Sequence, residues 1–314
     1  MSRKKFSDDL IRKLSPPRGR LRANVDLAKS TWFRVGGPAE VMFWPADLND
    51  LIAFLNSKPD SIPITMIGIG SNLMVRDGGV PGVVICLGKE FKEYSVCGTE
   101  IKVGGGLSNL RLANIARNNK ISGFEFLCGI PGTVGGSIRM NAGAYGFEVK
   151  DILQHVEAIE ENGNLIELPV SSLKYSYRNS GISKDLIYTC GYFSGFPAST
   201  SEITNRMKII QDERQFTQPL KTPTGGSTFV NPPGYKAWEL IDAAGCRGLR
   251  RGGAVVSEKH CNFLINLGSA TASDLEQLGE EVRDRVFENS GIKLEWEIQR
   301  IGIEASSGFR GLRA

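Results

Sequence analysis

Apolar positions along the chain recur at two spacings, and the switches between them mark alternating strands and helices. Residues 31–45, TWFRVGGPAEVMFWP, are rich in β-formers broken by a Gly-Gly-Pro turn. In DLNDLIAFLNS, Leu48, Leu51, Ile52 and Leu55 follow an Asp cap at helical spacing. ITMIGIGSNLMVRDGG reads as a strand entering a glycine turn, and GVVICLG (82–88) as a buried strand, which closes a first unit near residue 89. A second unit opens with the strands YSVCG and IKVGGG and a helix over 107–119. It continues into a hairpin over 151–169, where Asn162-Gly163 favours a tight turn, and ends near residue 200 after the strand DLIYTCGYFS. A third begins with a helix over 201–216 whose Ile203, Met207 and Ile210 share a face. It adds the short helix AWELIDAAG, a strand near NFLINL, a capped helix with Leu275, Leu278, Val282 and Val286 inward, and a last strand, IKLEWEIQRIG. The alternation predicts α+β architecture with mixed sheets, three units in one body, rather than a doubly wound parallel sheet.

Composition narrows this picture. At 314 residues, 41% hydrophobic and 23% charged, the chain suits two or three soluble domains, and no apolar run approaches a membrane span. Residues 1–22 hold eight Lys/Arg against two Asp, a net +6 within a chain of net +4, and read as a solvated basic arm. Asp8 and Asp9 count against an organellar presequence, and no nucleic-acid motif accompanies the basic run. Six scattered cysteines without a CxxC pair predict reduced thiols in a cytoplasm and no metal. Two histidines give a histidine metal site or a Ser-His-Asp triad little support, so the chemistry must lean on other residues or on a cofactor.

Two glycine-rich stretches draw attention. GIPGTVGGSIRMNAGAYG (129–146) carries six glycines in eighteen positions, and GIGSN spans 68–72. Neither is a dinucleotide fingerprint: GIGSNL breaks GxGxxG at its last position, and no GxxxxGK[ST] occurs. Two readings stand for the longer stretch. Pro131-Gly132 and Gly135-Gly136 could serve only a turn and a close helix contact. Alternatively, bare amides from both stretches, with Ser71, Asn72, Thr133 and Ser137, form an anion nest.

GIGSNLMVRDGG together with GIPGTVGGSIRMNAGAYG resembles the bacterial UDP-N-acetylenolpyruvoylglucosamine reductase (MurB) family. The likeness continues in order through YSYRNSG, GGSTFVNP, AWELIDAAGCRG, GGAVVSEKHCNFLINLGSATASDL and LEWEIQRIG, over residues 25 to 302. It implies a three-domain α+β flavoprotein with a vanillyl-alcohol-oxidase (PCMH)-type FAD fold and a C-terminal α+β substrate domain. The implied boundaries are a basic arm at 1–22, FAD-binding domains at 23–89 and 90–200, a substrate domain at 201–302 and a tail at 303–314. The family's reaction is reduction of UDP-N-acetylglucosamine enolpyruvate to UDP-N-acetylmuramate for peptidoglycan synthesis, with non-covalent FAD and with NADPH as co-substrate. The implied enzyme is a cytoplasmic bacterial monomer that binds neither nucleic acid nor membrane. Another FAD-dependent oxidoreductase of the same fold, such as a small-alcohol oxidase, is the alternative, and a decayed nucleotide-binding protein is a third reading.

The resemblance also assigns residues. Arg178 corresponds to the arginine that grips the substrate carboxylate, Ser227 to the proton donor, and Glu297 to the glutamate that orients substrate and assists proton delivery. Gly68, Gly70, Ser71, Asn72, Pro131, Gly132, Thr133, Gly135, Gly136, Ser137, Asn141 and Gly143 are the expected FAD contacts, with a β-branched residue at Gly135 expected to cost flavin before fold. Tyr175, Arg214, Asn231 and Lys236 are the expected sugar-nucleotide contacts. Trp296 stands where the family usually has proline, and Thr217 and Val230 stand in usually basic places. After Phe193 the chain has no candidate for the tyrosine-bearing loop of one subclass, so it resembles the subclass without that lid. His260 reads as a packing residue rather than a base.

Overall fold

A computed structural model describes residues 6–178, 180–182 and 186–305. Its first sheet has four strands in the order Arg20–Asp26, Pro38–Trp44, Val80–Cys86 and Ile64–Ile67, the first pair antiparallel and the others parallel. Val41, Phe43, Val83 and Ile85 face a cluster completed by Leu51, Phe54 and Leu55 of helix α2 (Leu48–Ser57). Asp47 caps that helix by accepting from the Asp50 amide, as its sequence position predicts.

Residues 1–5 of the basic arm lie outside the described residues; from residue 6 onward the arm is docked through its backbone and apolar side chains, while its Arg and Lys side chains stay exposed. It forms helix α1 (Asp9–Lys13) and the start of the strand Arg20–Asp26, with Leu14 in the first core. The buried Asp50 carboxylate accepts from the amides of Arg18, Gly19 and Ala46 at 2.8, 2.8 and 2.9 Å, which fixes the arm to the sheet edge. Gly19 is required there, because a Cβ would lie 2.3 Å from the Trp44 carbonyl oxygen.

The second sheet is antiparallel throughout, in the order Leu165–Pro169, Leu153–Ile159, Ile187–Ser194, Glu100–Gly104 and Tyr94–Cys97. The Asn162-Gly163 hairpin forms, with Gly163 at φ +82°. Helices α3 (Asn109–Asn118) and α4 (Val134–Met140) pack on this sheet's core. So does α5 (Thr200–Thr217), expected to open the third unit: its Ile203, Met207 and Ile210 are buried in the second core.

The third body holds α6 (Ala237–Ala243), α7 (Ala272–Ser290) and a sheet of Arg250–Arg251, Ala254–Val256 and Leu264–Asn266. A reciprocal capping box between Thr271 and Asp274 starts α7, and Leu275, Leu278, Val282 and Val286 bury its inner stripe. Polar contacts and strand pairing join this body to the first. Arg76 grips Glu276 of α7 with two hydrogen bonds, and the strand Gln299–Ile301 pairs in parallel with Leu73–Val75. The expected long final strand is therefore short. Residues 292–298 hold only an isolated antiparallel bridge, Trp296 to Phe229, while the Trp296 ring packs on Gly279, where a Cβ would sit 2.2 Å away, and donates its indole N–H to Glu280.

Candidate active site

The two glycine stretches, some sixty residues apart in the chain, lie side by side. Ser71 Oγ donates to the Pro131 carbonyl at 2.7 Å. A Cβ on Gly68 would approach Thr133 Oγ1 to 2.7 Å, and one on Gly132 would meet Asn109 Nδ2 at 3.1 Å and Ser71 Oγ at 3.7 Å. These glycines leave a shallow cradle walled by hydroxyls and main chain. No backbone acceptor among the described residues takes the amides of Gly70, Ser71, Gly132 or Thr133. Gly70 adopts φ +67° and packs 2.3 Å (as a Cβ) from the Ser30 carbonyl, so the turn admits glycine alone.

Beyond Thr133 the expectation of bare amides fails. Val134 N donates to the Leu107 carbonyl, Gly135 N to Gly105 and Ser137 N to Thr133, while Gly136 N bonds the Thr133 hydroxyl as a helix cap. A Cβ on Gly135 would press on the Tyr188 and Gly105 carbonyls at 3.1 and 3.2 Å, so helix-on-sheet packing asks for glycine there. Ser137 is buried and receives the Asn109 amide at 2.8 Å. Asn141 is fully buried at the left-handed C-cap of α4, with its side chain bonded to Glu148, to the Ser176 carbonyl and to the Lys150 amide. Gly136 is exposed, and Gly143 lets the Arg178 guanidinium lie against the chain, its Nη1 being 3.0 Å from where a Cβ would project.

Beside the cradle, Arg178 Nε donates to Glu297 Oε1 at 2.9 Å, across 119 residues of sequence; both side chains are only 18% exposed. Glu297 thus does not lie on a solvated strand face. Burial raises its pKa above the ordinary carboxylate value, and the Arg178 charge and hydrogen bond oppose that rise. Arg178 itself holds φ +58°, a left-handed conformation costly for a residue with a side chain. Asn72 ties cradle to corner: its Nδ2 donates to the Glu297 carbonyl at 3.2 Å, and its own carbonyl accepts from Gln299 N. The Asn72 side chain is thereby a brace for the carboxylate's strand. Ser227 enters through its neighbour Thr228, whose carbonyl accepts the Glu297 amide at 2.9 Å. Buried Asn262 clamps this segment, bonding Phe229 N and O at 2.9 and 2.8 Å while its carbonyl takes Thr228 N at 2.7 Å. Nothing in the sequence singled out Asn262; a buried amide in a mixed-polarity stretch carries no spacing signal.

The other expected contacts separate. Tyr175 turns inward, donating to the Ile138 carbonyl at 2.7 Å, and burial raises its phenol pKa. The exposed neighbour Tyr177, passed over in the sequence reading, is the one whose ring lies under Arg178, 4.9 Å from ring centre to guanidinium carbon. Arg214 on α5 bonds Gln218, and burial lowers its pKa. Asn231 Oδ1 accepts from Ala237 N ahead of α6, with exposed Lys236 at the helix cap. His260 packs edge-on to Phe263 and Trp238, and burial lowers its pKa, which keeps it neutral. Among the described residues no group of three or more His, Cys, Asp or Glu could hold a metal ion, and no helix is long and apolar enough to cross a membrane.

Comparison with known proteins bears on both halves of this site. Residues 39–169 match the model of an FAD binding domain, and residues 218–301 match that of the UDP-N-acetylenolpyruvoylglucosamine reductase C-terminal domain. The chain is 53% identical to the UDP-N-acetylenolpyruvoylglucosamine reductase of Parvibaculum lavamentivorans over 95% of its length and 96% of that protein's. It is 52% identical to the enzyme of that name from a Bradyrhizobium species, over 98% of this chain and 100% of the relative. The crystal structure of the Thermus caldophilus enzyme superposes with a TM-score of 0.79 at 34% identity, covering 91% of this chain and all of that one.

Proposed function

This chain belongs to the UDP-N-acetylenolpyruvoylglucosamine reductase family, FAD-dependent oxidoreductases of peptidoglycan synthesis, and from that membership we propose how its own residues divide the work. The substrate is UDP-N-acetylglucosamine enolpyruvate, the product UDP-N-acetylmuramate, and the reductant NADPH. The enzyme works as a monomer in the cytoplasm, a compartment that suits its free cysteines.

The cradle fits FAD. A diphosphate asks for neutral donors at close range, and Gly70, Ser71, Gly132 and Thr133 offer amides, with the Thr133 hydroxyl beside them, where any Cβ on Gly68 or Gly132 would intrude. Bound there, FAD supplies hydride to the enolpyruvyl β-carbon. The remaining work falls to three side chains. Arg178 grips the substrate carboxylate, on which negative charge builds as the double bond is reduced. Ser227 delivers a proton to the α-carbon; a hydroxyl is a weak acid, but a carbanionic centre is a strong acceptor. Glu297, behind Arg178, orients the guanidinium and returns a proton to Ser227. Arg214 is a phosphate contact of the sugar nucleotide, with Asn231 and Lys236 nearer its outer end.

The observation carrying this reading is the close Arg178–Glu297 pair braced by Asn72 to the cradle and by Thr228 to the Ser227 segment. It is tested by separate half-reactions. Anaerobic NADPH should bleach the yellow enzyme, and UDP-N-acetylglucosamine enolpyruvate should restore the colour. Ser227→Ala should keep the first step within about twofold and slow the second by about 10²–10⁴, the span of general acid catalysis. Equal losses in both steps from a folded, FAD-loaded variant would remove Ser227 from the proton-donor role.

A further inference from the structure

Arg178 and Glu297 satisfy one another in the structure, yet the reaction proposed above gives Arg178 a second anion to hold. Their contact is 2.9 Å and largely shielded from water, so the attraction is weakly screened. The guanidinium cannot swing to a roomier position. Its backbone is in the left-handed region, its Nη1 rests against the chain at Gly143, and its carbon sits over the Tyr177 ring. Arg178 is also the charged side chain that acts on Glu297 among the described residues. The elements packed on the glutamate's backbone, at Asn72 and Thr228, present an amide and a carbonyl only.

A ligand carboxylate arriving at Arg178 therefore makes two carboxylates share one fixed cation. Two anions at one cation in a dry corner cannot both stay ionised, and the proton goes to the group whose solvation is poorer. We propose that docking of the substrate carboxylate on Arg178 drives Glu297 to take up one proton from solvent, so that ligand and proton bind together. The charge balance is simple: an ionised Glu297, an anionic ligand carboxylate and one proton become a neutral Glu297 beside the Arg178–ligand pair. The proton needed at the α-carbon is thus loaded as the substrate seats, before the double bond is reduced. This rests on the assignment of Arg178 to the substrate carboxylate.

The pH dependence follows with a definite sign. Burial already holds the free-state pKa of Glu297 above the ordinary value, and the ligand raises it further. Below the free-state value the group carries its proton in both states; above the bound-state value it carries none in either. Between them one proton enters per ligand, and the dissociation constant rises about tenfold per pH unit.

Isothermal titration of the oxidised, FAD-loaded enzyme with UDP-N-acetylmuramate, which bears the carboxylate and does not turn over, reads the uptake directly. Run in two buffers of different ionisation enthalpy, it should give close to one proton per ligand inside the window. UDP-N-acetylglucosamine, lacking the carboxylate, should bind with none. Glu297→Gln should abolish the uptake and bind UDP-N-acetylmuramate at least as tightly as the parent, because the competing charge is gone. A wild-type titration with normal affinity but no proton exchange across pH 5–9 would overturn the inference while leaving the reductase reading intact. So would a Glu297→Gln variant that bound tenfold more weakly. No binding of either nucleotide would overturn the reading beneath it.

Discussion

The turn at 68–72 and the stretch at 131–137 have similar glycine content and touch one another, yet their glycines face different things. At 68–72 they clear space: Gly70 takes a left-handed turn and Gly68 leaves the wall open toward Thr133. In the second stretch the role changes within four residues. Gly132 faces the cradle, Gly135 faces the carbonyls of Gly105 and Tyr188, and Gly136 is exposed beside the Thr133 hydroxyl of the cradle wall. Glycine permits close approach, but the partner that approaches is set by which side of the short helix the residue occupies. Composition cannot report that side.

Substitutions can force the comparison. Gly135→Val should have the largest effect, about 3 kcal/mol of lost stability at the upper end of overpacking costs. The thermal midpoint should fall with and without flavin, reversing the expectation that flavin goes first; an unchanged flavin-free midpoint with low flavin content would reinstate Gly135 as a ligand contact. Gly70→Ala should cost about 1–2 kcal/mol for the left-handed backbone, and the Cβ pressing on the Ser30 carbonyl adds to it. Here flavin fluorescence should rise at a lower temperature than the far-ultraviolet circular dichroism changes, because the sheet does not depend on the turn; coincident transitions would show that it does. Thr133→Ala removes the α4 cap and should lose about 1 kcal/mol, with Thr133→Ser recovering most of it in chemical denaturation. Gly136→Ala is the smallest and has two signs. Without flavin it should stabilise by about 0.5–1 kcal/mol, as alanine does in a helix. Flavin titration should nonetheless show weaker binding, and unchanged affinity would place Gly136 outside the cradle.

Much of the fold was legible because the core writes itself at regular spacing. The inner stripe of α7, the Asp47 cap and the Asn162-Gly163 hairpin all rest on local rules and appear as read. Misreadings came where a distant partner decides. Asp50 draws the basic arm onto the sheet through the amides of Arg18 and Gly19, and no charge count could anticipate that. The alternation over 292–302 reads as one strand, but residues 295–297 bridge to 228–230 and only Gln299–Ile301 pairs with Leu73–Val75. In the site, Arg178 and Glu297 were found through resemblance, while their contact was not visible in either stretch alone. Tyr175 and Tyr177 are indistinguishable in YSYRNSG; only the backbone shows one turned inward and the other laid under the arginine.

The parallel pairing of Gln299–Ile301 with Leu73–Val75 has a consequence for how the protein is made. Asn72 and Glu297 are separated by 225 positions, so a ribosome finishes every strand of the first two sheets long before it emits the carboxylate. The turn at 68–72 therefore waits for its last partners, the Gln299 amide on the Asn72 carbonyl and the Glu297 carbonyl on the Asn72 side chain, until the final stretch of synthesis. Leu73–Val75 likewise lacks its neighbour strand, and Met74 its core neighbours from the third body, until residues near 300 are made.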